Sequence, residues 1–264
     1  MAWSVITGGS SGIGLEFAHQ LASQGQNLVL IARSADELES VKKKLRSNYA
    51  VKVKTIVADL SRADHIDQIA GLIRRIKELD YVVNNAGFGL HYRADDCSKS
   101  VVAQQQAAIS VMISAVMTLS LAAVSAMRRR GRGHIINVSS ISAWLLVGNY
   151  SAIKGYVLTY TRALNLVLKD SGITATAVCP SWVHTNFHRA IGAPEPAMPE
   201  WLYMPVNELV SKTLAAVQQG RSEVIPSVVW RVIIWFLQHG PVGLQRYVTK
   251  KYIGTGSYRV RMRD

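Results

Sequence analysis

Along most of this 264-residue chain, short apolar runs alternate with stretches in which apolar residues return every three or four positions. The first run (Trp3, Val5, Ile6) reads as a strand and ends in the glycine-rich turn TGGSSGIG, residues 7–14. A helical period follows it, in Ile13, Phe17 and Leu21 with Ala18 and Ala22. Residues 27–32 (NLVLIA) predict a buried second strand, and the charged stretch 34–46 predicts a helix that Ser34 caps. Residues 51–57 alternate as a third strand leading to Asp59. Ile66, Ile69, Leu72, Ile73 and Ile76 mark the next helix, and residues 80–83 a fourth strand running into NNAG at 84–87. Strands and helices joined by short links in this order predict a parallel sheet covered by helices on both faces.

Residues 107–127 carry no charge and are long enough to cross a membrane, but Ser110, Ser114, Thr118, Ser120 and Ser125 interrupt them. Lying between sheet elements, they read as a helix buried by the sheet on one side and by a second subunit on another. Residues 135–138 and 173–178 are the fifth and sixth strands, with a long helix over 150–168 between them. Residues 180–205 hold prolines 180, 194, 196, 199 and 205 and no sustained period, a length typical of substrate-side loops. A helix over 207–219 and a short strand at 223–225 follow. The extension 227–264 starts with VVWRVIIWFL and ends in a basic tail. It reads either as a helix packed on the cleft or a partner subunit, or as weak contact with a membrane surface. Without a linker or repeat, residues 1–264 are expected to form one domain.

Charge changes this picture little. The formal net charge is +13, yet the clusters at 42–44 and 128–130 fall on helix ends or polar faces, without the interleaved aromatics of a single-strand binder. No nucleic-acid partner is expected. Cys97 and Cys179 lie far apart with no metal-ligand spacing, so both are expected as reduced, buried thiols. His184 and His188 are four apart but lack a nearby acidic ligand, so no metal site is expected. The first strand begins close to Met1, leaving no room for a signal peptide, and a cytoplasmic location is the expectation.

Two stretches carry candidate chemistry. A strand feeding a helix through glycines brings free N–H groups and a positive helix end to one point, which attracts a diphosphate. Gly8 permits the tight turn, Gly12 the close approach of the ligand, and Gly14 the packing of helix on strand. Tyr150 and Lys154 stand one helical turn apart on one face. A lysine ammonium beside a phenol favours the phenolate, making Tyr150 a usable general acid or base. The serines of NVSS (137–140) precede them at a strand end, where ligands of open parallel sheets bind.

TGGSSGIG, Asp59-Leu60, NNAG, NVSS, YSAIK (150–154) and CPSWVHT (179–185) occur in the order of the short-chain dehydrogenase/reductase family, which residues 2 to about 190 closely resemble. The resemblance implies an α/β Rossmann-type, doubly wound parallel sheet of about seven strands, NAD(P)-dependent hydride transfer, and a homodimer or homotetramer joined through the two long helices. It assigns Tyr150 as proton donor and acceptor, Lys154 as the group that holds the nicotinamide ribose and tunes Tyr150, and Ser140 as the residue polarising the substrate oxygen. Ser139 is the alternative, because the serine-to-tyrosine segment is about three residues shorter than the family's. The cofactor is expected against Thr7, Gly8, Ser10, Ser11, Gly12, Ile13, Gly14, Arg33, Asp59, Leu60, Asn85, Ala86, Gly87, Tyr150, Lys154, Pro180, Val183 and Thr185. There are two departures: Met112 stands where the family has an asparagine of the proton relay, and Ser181 where it has glycine.

An acidic residue ending the second strand would bind the ribose of NAD and repel a 2′-phosphate. Here the strand end is followed by Arg33, whose guanidinium suits a phosphate, so NADP(H) is expected in preference to NAD(H). The other reading of Arg33 is a solvated helix-start residue. Trp144, Trp182, Phe187 and Trp201 fall in segments expected around the cleft, pointing to a small hydrophobic carbonyl or alcohol substrate unless they serve packing alone. The competing functional reading is an NADPH-binding regulator with little turnover, for which Met112 is the strongest sign.

Overall fold

In a computed structural model of the protein, residues 1–90, 95–183 and 200–254 are described. The expectations for His184, Thr185, Phe187 and His188, and much of the 180–205 loop, lie outside them. Seven strands form one parallel sheet in the order β3-β2-β1-β4-β5-β6-β7. They are β1 (Trp3–Thr7), β2 (Asn27–Ala32), β3 (Val53–Val57), β4 (Leu79–Asn84), β5 (Gly133–Val138), β6 (Ile173–Val178) and β7 (Glu223–Val224). This is the doubly wound Rossmann-type sheet expected from the alternation. Because the order reverses between β1 and β4, a crevice opens at their carboxyl ends.

Period two along the strands divides the core. Val5, Val29, Ile31, Val82 and Ile135 face one layer, built from α3 (Ala63–Arg75), α4 (Lys99–Ile109), α5 (Ala115–Arg128) and α6 (Gly148–Val167). Ile6, Leu28, Leu30, Val83 and Ile136 face the other, built from α1 (Gly12–Ser23), α2 (Ala35–Asn48) and α7 (Val206–Gln218). A helix long and apolar enough to cross a membrane, residues 99–128, is thereby a core element, with Leu119, Ala122, Ala123 and Met127 fully buried against the sheet. Its far side leaves Met117 and Leu121 exposed. Ser34 caps α2 as expected, accepting from the Glu37 amide at 3.3 Å.

A third apolar cluster sits at the carboxyl end of the sheet. Ile141, Trp144, Leu158, Cys179, Leu202 and Ile225 pack there with Trp230 and Ile234 of α8 (Val228–His239). The closing helix is α9 (Val242–Gly254). Of the two thiols, Cys179 is buried as expected, and burial pushes it up to about 12. Cys97 is not buried: it is exposed, because its neighbours Asp95, Asp96, Ser98 and Ser100 offer no apolar surface to bury with it. Among the described residues no cluster of three or more potential metal ligands occurs.

Candidate active site

The turn after β1 is shaped by backbone that only glycine adopts easily. Gly8 and Gly12 have φ of +64° and +54°. A Cβ on Gly14 would lie 2.2 Å from the Gly8 carbonyl oxygen and 2.5 Å from Asn85 Nδ2, so α1 seats directly on the turn. The loop after β4 clamps it from the side. Thr7 Oγ1 accepts from the Asn85 and Ala86 amides (3.0 Å each), and Asn85 Nδ2 donates to the carbonyls of Thr7 (3.0 Å) and Gly8 (3.2 Å). Ser11, at the N-cap of α1, makes no side-chain capping bond, so the first amides of that helix face the crevice with the positive end of its dipole. Such a cradle fits the diphosphate of a dinucleotide.

Arg33 is exposed just past β2, and its charge reaches Asp59 beyond β3. The Ser61 amide donating to Asp59 at 2.9 Å, with Arg33 adding, holds that carboxyl below its ordinary value. The Asp59 amide donates to His65 Nδ1 at 2.9 Å, and Ser110 Oγ donates to the Leu60 (3.2 Å) and Ser61 (3.1 Å) carbonyls. Asp59 and Leu60 are thus fixed beside the end of β2, where the adenine half is expected.

The loop after β5 separates the two candidate serines. Ser139 is buried, and its hydroxyl donates to the Lys154 carbonyl at 2.7 Å. Ser140 is half-buried and caps the one-turn helix Ile141–Trp144, accepting from the Ser142 amide at 3.1 Å and donating to Ser142 Oγ at 3.2 Å. Of the two, the Ser139 hydroxyl is committed to the backbone of α6, and that of Ser140 is the more accessible. Ser142, which sequence reasoning passed over, shares its hydrogen-bond chain. Gly148, with φ of +67°, starts α6, so Tyr150 stands in its first turn and Lys154 one turn further. Lys154 is only 4% exposed. Its Nζ donates to the Val138 carbonyl at 2.9 Å and lies 5.6 Å from the centre of the Tyr150 ring. Burial pushes the ammonium down to about 8, which leaves it charged at neutral pH.

Met112 lies in a π-helical turn, Ser110–Ser114, between α4 and α5. It is buried among apolar side chains, with its sulfur where a Cβ on Gly87 would come within 3.0 Å. The place expected of a hydrogen-bonding asparagine is filled by packing instead. After β6, the Pro180 carbonyl accepts from the Ile141 amide at 3.1 Å, Val183 packs against the α1–α7 layer, and Ser181 Oγ is buried with no hydrogen-bond partner among the described residues. The aromatics divide. Trp144 is a packing residue with Arg162 over its ring at 5.9 Å, and Arg162 pairs with Glu223. Trp182 bridges to Tyr203, and Trp201 is exposed.

The shortened segment between Ser140 and Tyr150 is held from outside. Gln245 Nε2 donates to the Trp144 carbonyl at 2.9 Å, and the Leu146 amide donates to Thr249 Oγ1 at 3.2 Å. Both partners belong to α9, about a hundred residues on, and no local signal in the sequence links the two.

A glycine cradle at the switch point, with a buried lysine beside a tyrosine on α6, is an arrangement that fits a dinucleotide and a proton-transfer pair. Residues 2–196 match the short chain dehydrogenase family, and the chain belongs to it. It is 33% identical over 186 residues to 17-beta-hydroxysteroid dehydrogenase type 3 of Rattus norvegicus, covering 69% of this chain and 60% of that protein. To very-long-chain 3-oxoacyl-CoA reductase-A of Danio rerio it is 33% identical over 196 residues, covering 70% and 59%. The chain thus spans about 60% of the length of these relatives. Among solved structures, a short-chain dehydrogenase from Sphingobium yanoikuyae in complex with NADPH superposes with a TM-score of 0.80 at 26% identity, covering 100% of this chain and 98% of that one.

Proposed function

We propose that the protein is an NADP(H)-dependent oxidoreductase that interconverts a carbonyl and an alcohol on a small hydrophobic substrate. The observation that carries this reading is the ammonium of Lys154, buried and charged, beside the Tyr150 ring at the strand ends that also hold the glycine cradle. When bound, the dinucleotide supplies the hydride. Ser140 donates a hydrogen bond to the substrate oxygen, where negative charge develops during reduction. Tyr150 passes its proton to that oxygen, and Lys154 offsets the charge left on the phenol. In oxidation each step runs backward.

Arg33 supports NADPH over NADH, since a guanidinium at this strand end suits a 2′-phosphate, and the NADPH-bound Sphingobium enzyme agrees with that choice. The names of the relatives, a steroid dehydrogenase and a long-chain acyl reductase, support a bulky apolar substrate. The exposed Met117 and Leu121 of α5, with Leu166 and Val167 of α6, support a homodimer or homotetramer through the long helices. A second reading, a dinucleotide-binding regulator with little turnover, is favoured by Met112. A panel of aldehydes and ketones assayed with NADPH and NADH, beside Tyr150→Phe, separates the two. Reduction by the wild type that falls about a hundredfold or more in Tyr150→Phe is expected. NADPH binding with no reduction above the Tyr150→Phe level would favour the regulator.

A further inference from the structure

We propose that the outward face of α8 docks on an anionic phospholipid bilayer. Most surface helices bury an apolar stripe and expose a polar one. In α8 the buried stripe is Trp230 and Ile234, with Ile233 and Leu237 half-buried beside it. Opposite it, Val228, Val229, Val232, Trp235 and Phe236 are exposed, the last two at 55% and 54%. At 100° per residue these five occupy one arc of about 120°, with Arg231 and Gln238 along its edge and His239, stacked on the Trp235 ring, inside it at the last turn. An apolar face of this size on the outside of a folded chain marks an interaction surface.

Charge identifies the occupant. Residues 228–264 contain seven lysines and arginines and one acidic residue, Asp264. A second copy docking here by two-fold symmetry would bring Arg231, on the edge of this face, towards its own copy with no acidic side chain among the described residues of 228–249 to pair with it, whereas an anionic lipid surface complements it. With 12 residues, α8 is about 18 Å long, too short to span a hydrocarbon core of ~30 Å, so it lies in the plane of the interface. An exposed tryptophan beside apolar residues suits that depth. The inner face of the same helix packs on Trp144 and Ile141, so docking sets the wall of the candidate cleft next to the lipid. The proposal is independent of the catalytic reading, because vesicle binding needs neither cofactor nor turnover.

The test is flotation of the whole chain with phosphatidylcholine vesicles, with and without about one-third phosphatidylserine, at low and high salt. Binding to the anionic vesicles that weakens with salt is expected. Trp235→Glu/Phe236→Glu should weaken it at least tenfold, and Arg246→Glu about fivefold. Val57→Glu, at an equally exposed apolar site (57%) on β3, should leave it unchanged. Circular dichroism checks that each variant is folded, and Arg246→Glu and the salt series read the same surface should the double variant fail. Wild type that stays with the unbound fraction, or folded variants that bind like wild type, would overturn the proposal. So would a double variant that splits an oligomer in sedimentation while still binding vesicles, since the face would then belong to a second copy.

Discussion

Replacing Lys154 with methionine is expected to abolish turnover and, at pH 7, to stabilise the ligand-free protein. The side chain is almost fully enclosed, and burial lowers its ammonium from 10.5 to about 8. At ~1.4 kcal/mol per pH unit, holding the charged form in the folded state costs about 3 kcal/mol wherever both states are protonated, below pH 8. Between pH 8 and 10.5 the unfolded chain binds more protons than the folded one, so this contribution to stability rises with pH and the cost disappears. Methionine is similar in shape and carries no charge, but gives up the bond to the Val138 carbonyl, a loss of about 1 kcal/mol. The net gain at pH 7 is therefore about 2 kcal/mol, a rise of roughly 4 °C or more in Tm. It should shrink as pH rises past 8, vanish at pH ~9.5, and leave the variant about 1 kcal/mol less stable by 10.5. Thermal unfolding of both proteins from pH 7 to 10.5, without cofactor, measures the difference directly. A Lys154→Met protein less stable than wild type at pH 7, or a difference that does not change with pH, would refute the reasoning.

Two further substitutions address separate parts of the site. Arg33→Ala should raise the KM for NADPH by about ten- to a hundredfold, the worth of a charged hydrogen bond, and leave NADH use unchanged; equal losses with the two cofactors would remove Arg33 from the 2′-phosphate. Thr249→Val leaves the Leu146 amide without its acceptor at a local cost of about 1–3 kcal/mol. Its kcat should fall while NADPH affinity, measured by fluorescence titration, holds; a parallel loss of both would mean that α9 supports the fold as a whole and not the Ser140–Tyr150 segment.

Much of the framework could be read from periodicity because the central strands are buried on both faces and most helices on one. Residues 27–32 and 173–178 are strands at the bounds expected. The third strand starts at Val53, two residues late, because the VKVK alternation continues past the point where pairing with β2 begins. The helix expected from residue 107 starts at Lys99, since KSVVAQQQ has too few apolar positions to show a period. Its π-turn at 110–114 was hidden for the opposite reason: apolar residues all round leave no phase in which an extra residue could be noticed. In the site, Tyr150 and Lys154 were legible because they share a helix. That the Ser139 hydroxyl is buried while that of Ser140 is not could not be read from the sequence, since one residue of rotation at a strand end decides it. Gln245 and Thr249 were beyond reach, because their partners lie about a hundred residues away with no local pattern joining them.

The family match ends at residue 196, yet several side chains that hold the segment between serine and tyrosine (Trp230 and Ile234 through packing, Gln245 and Thr249 through hydrogen bonds) come after it. One wall of the candidate cleft is therefore built in part by residues beyond the stretch that carries the family's motifs. Drift in the closing helices can recast what the cleft admits while the nucleotide half stays as it is, and grafting residues 228–254 onto a relative is a direct route to moving its substrate preference.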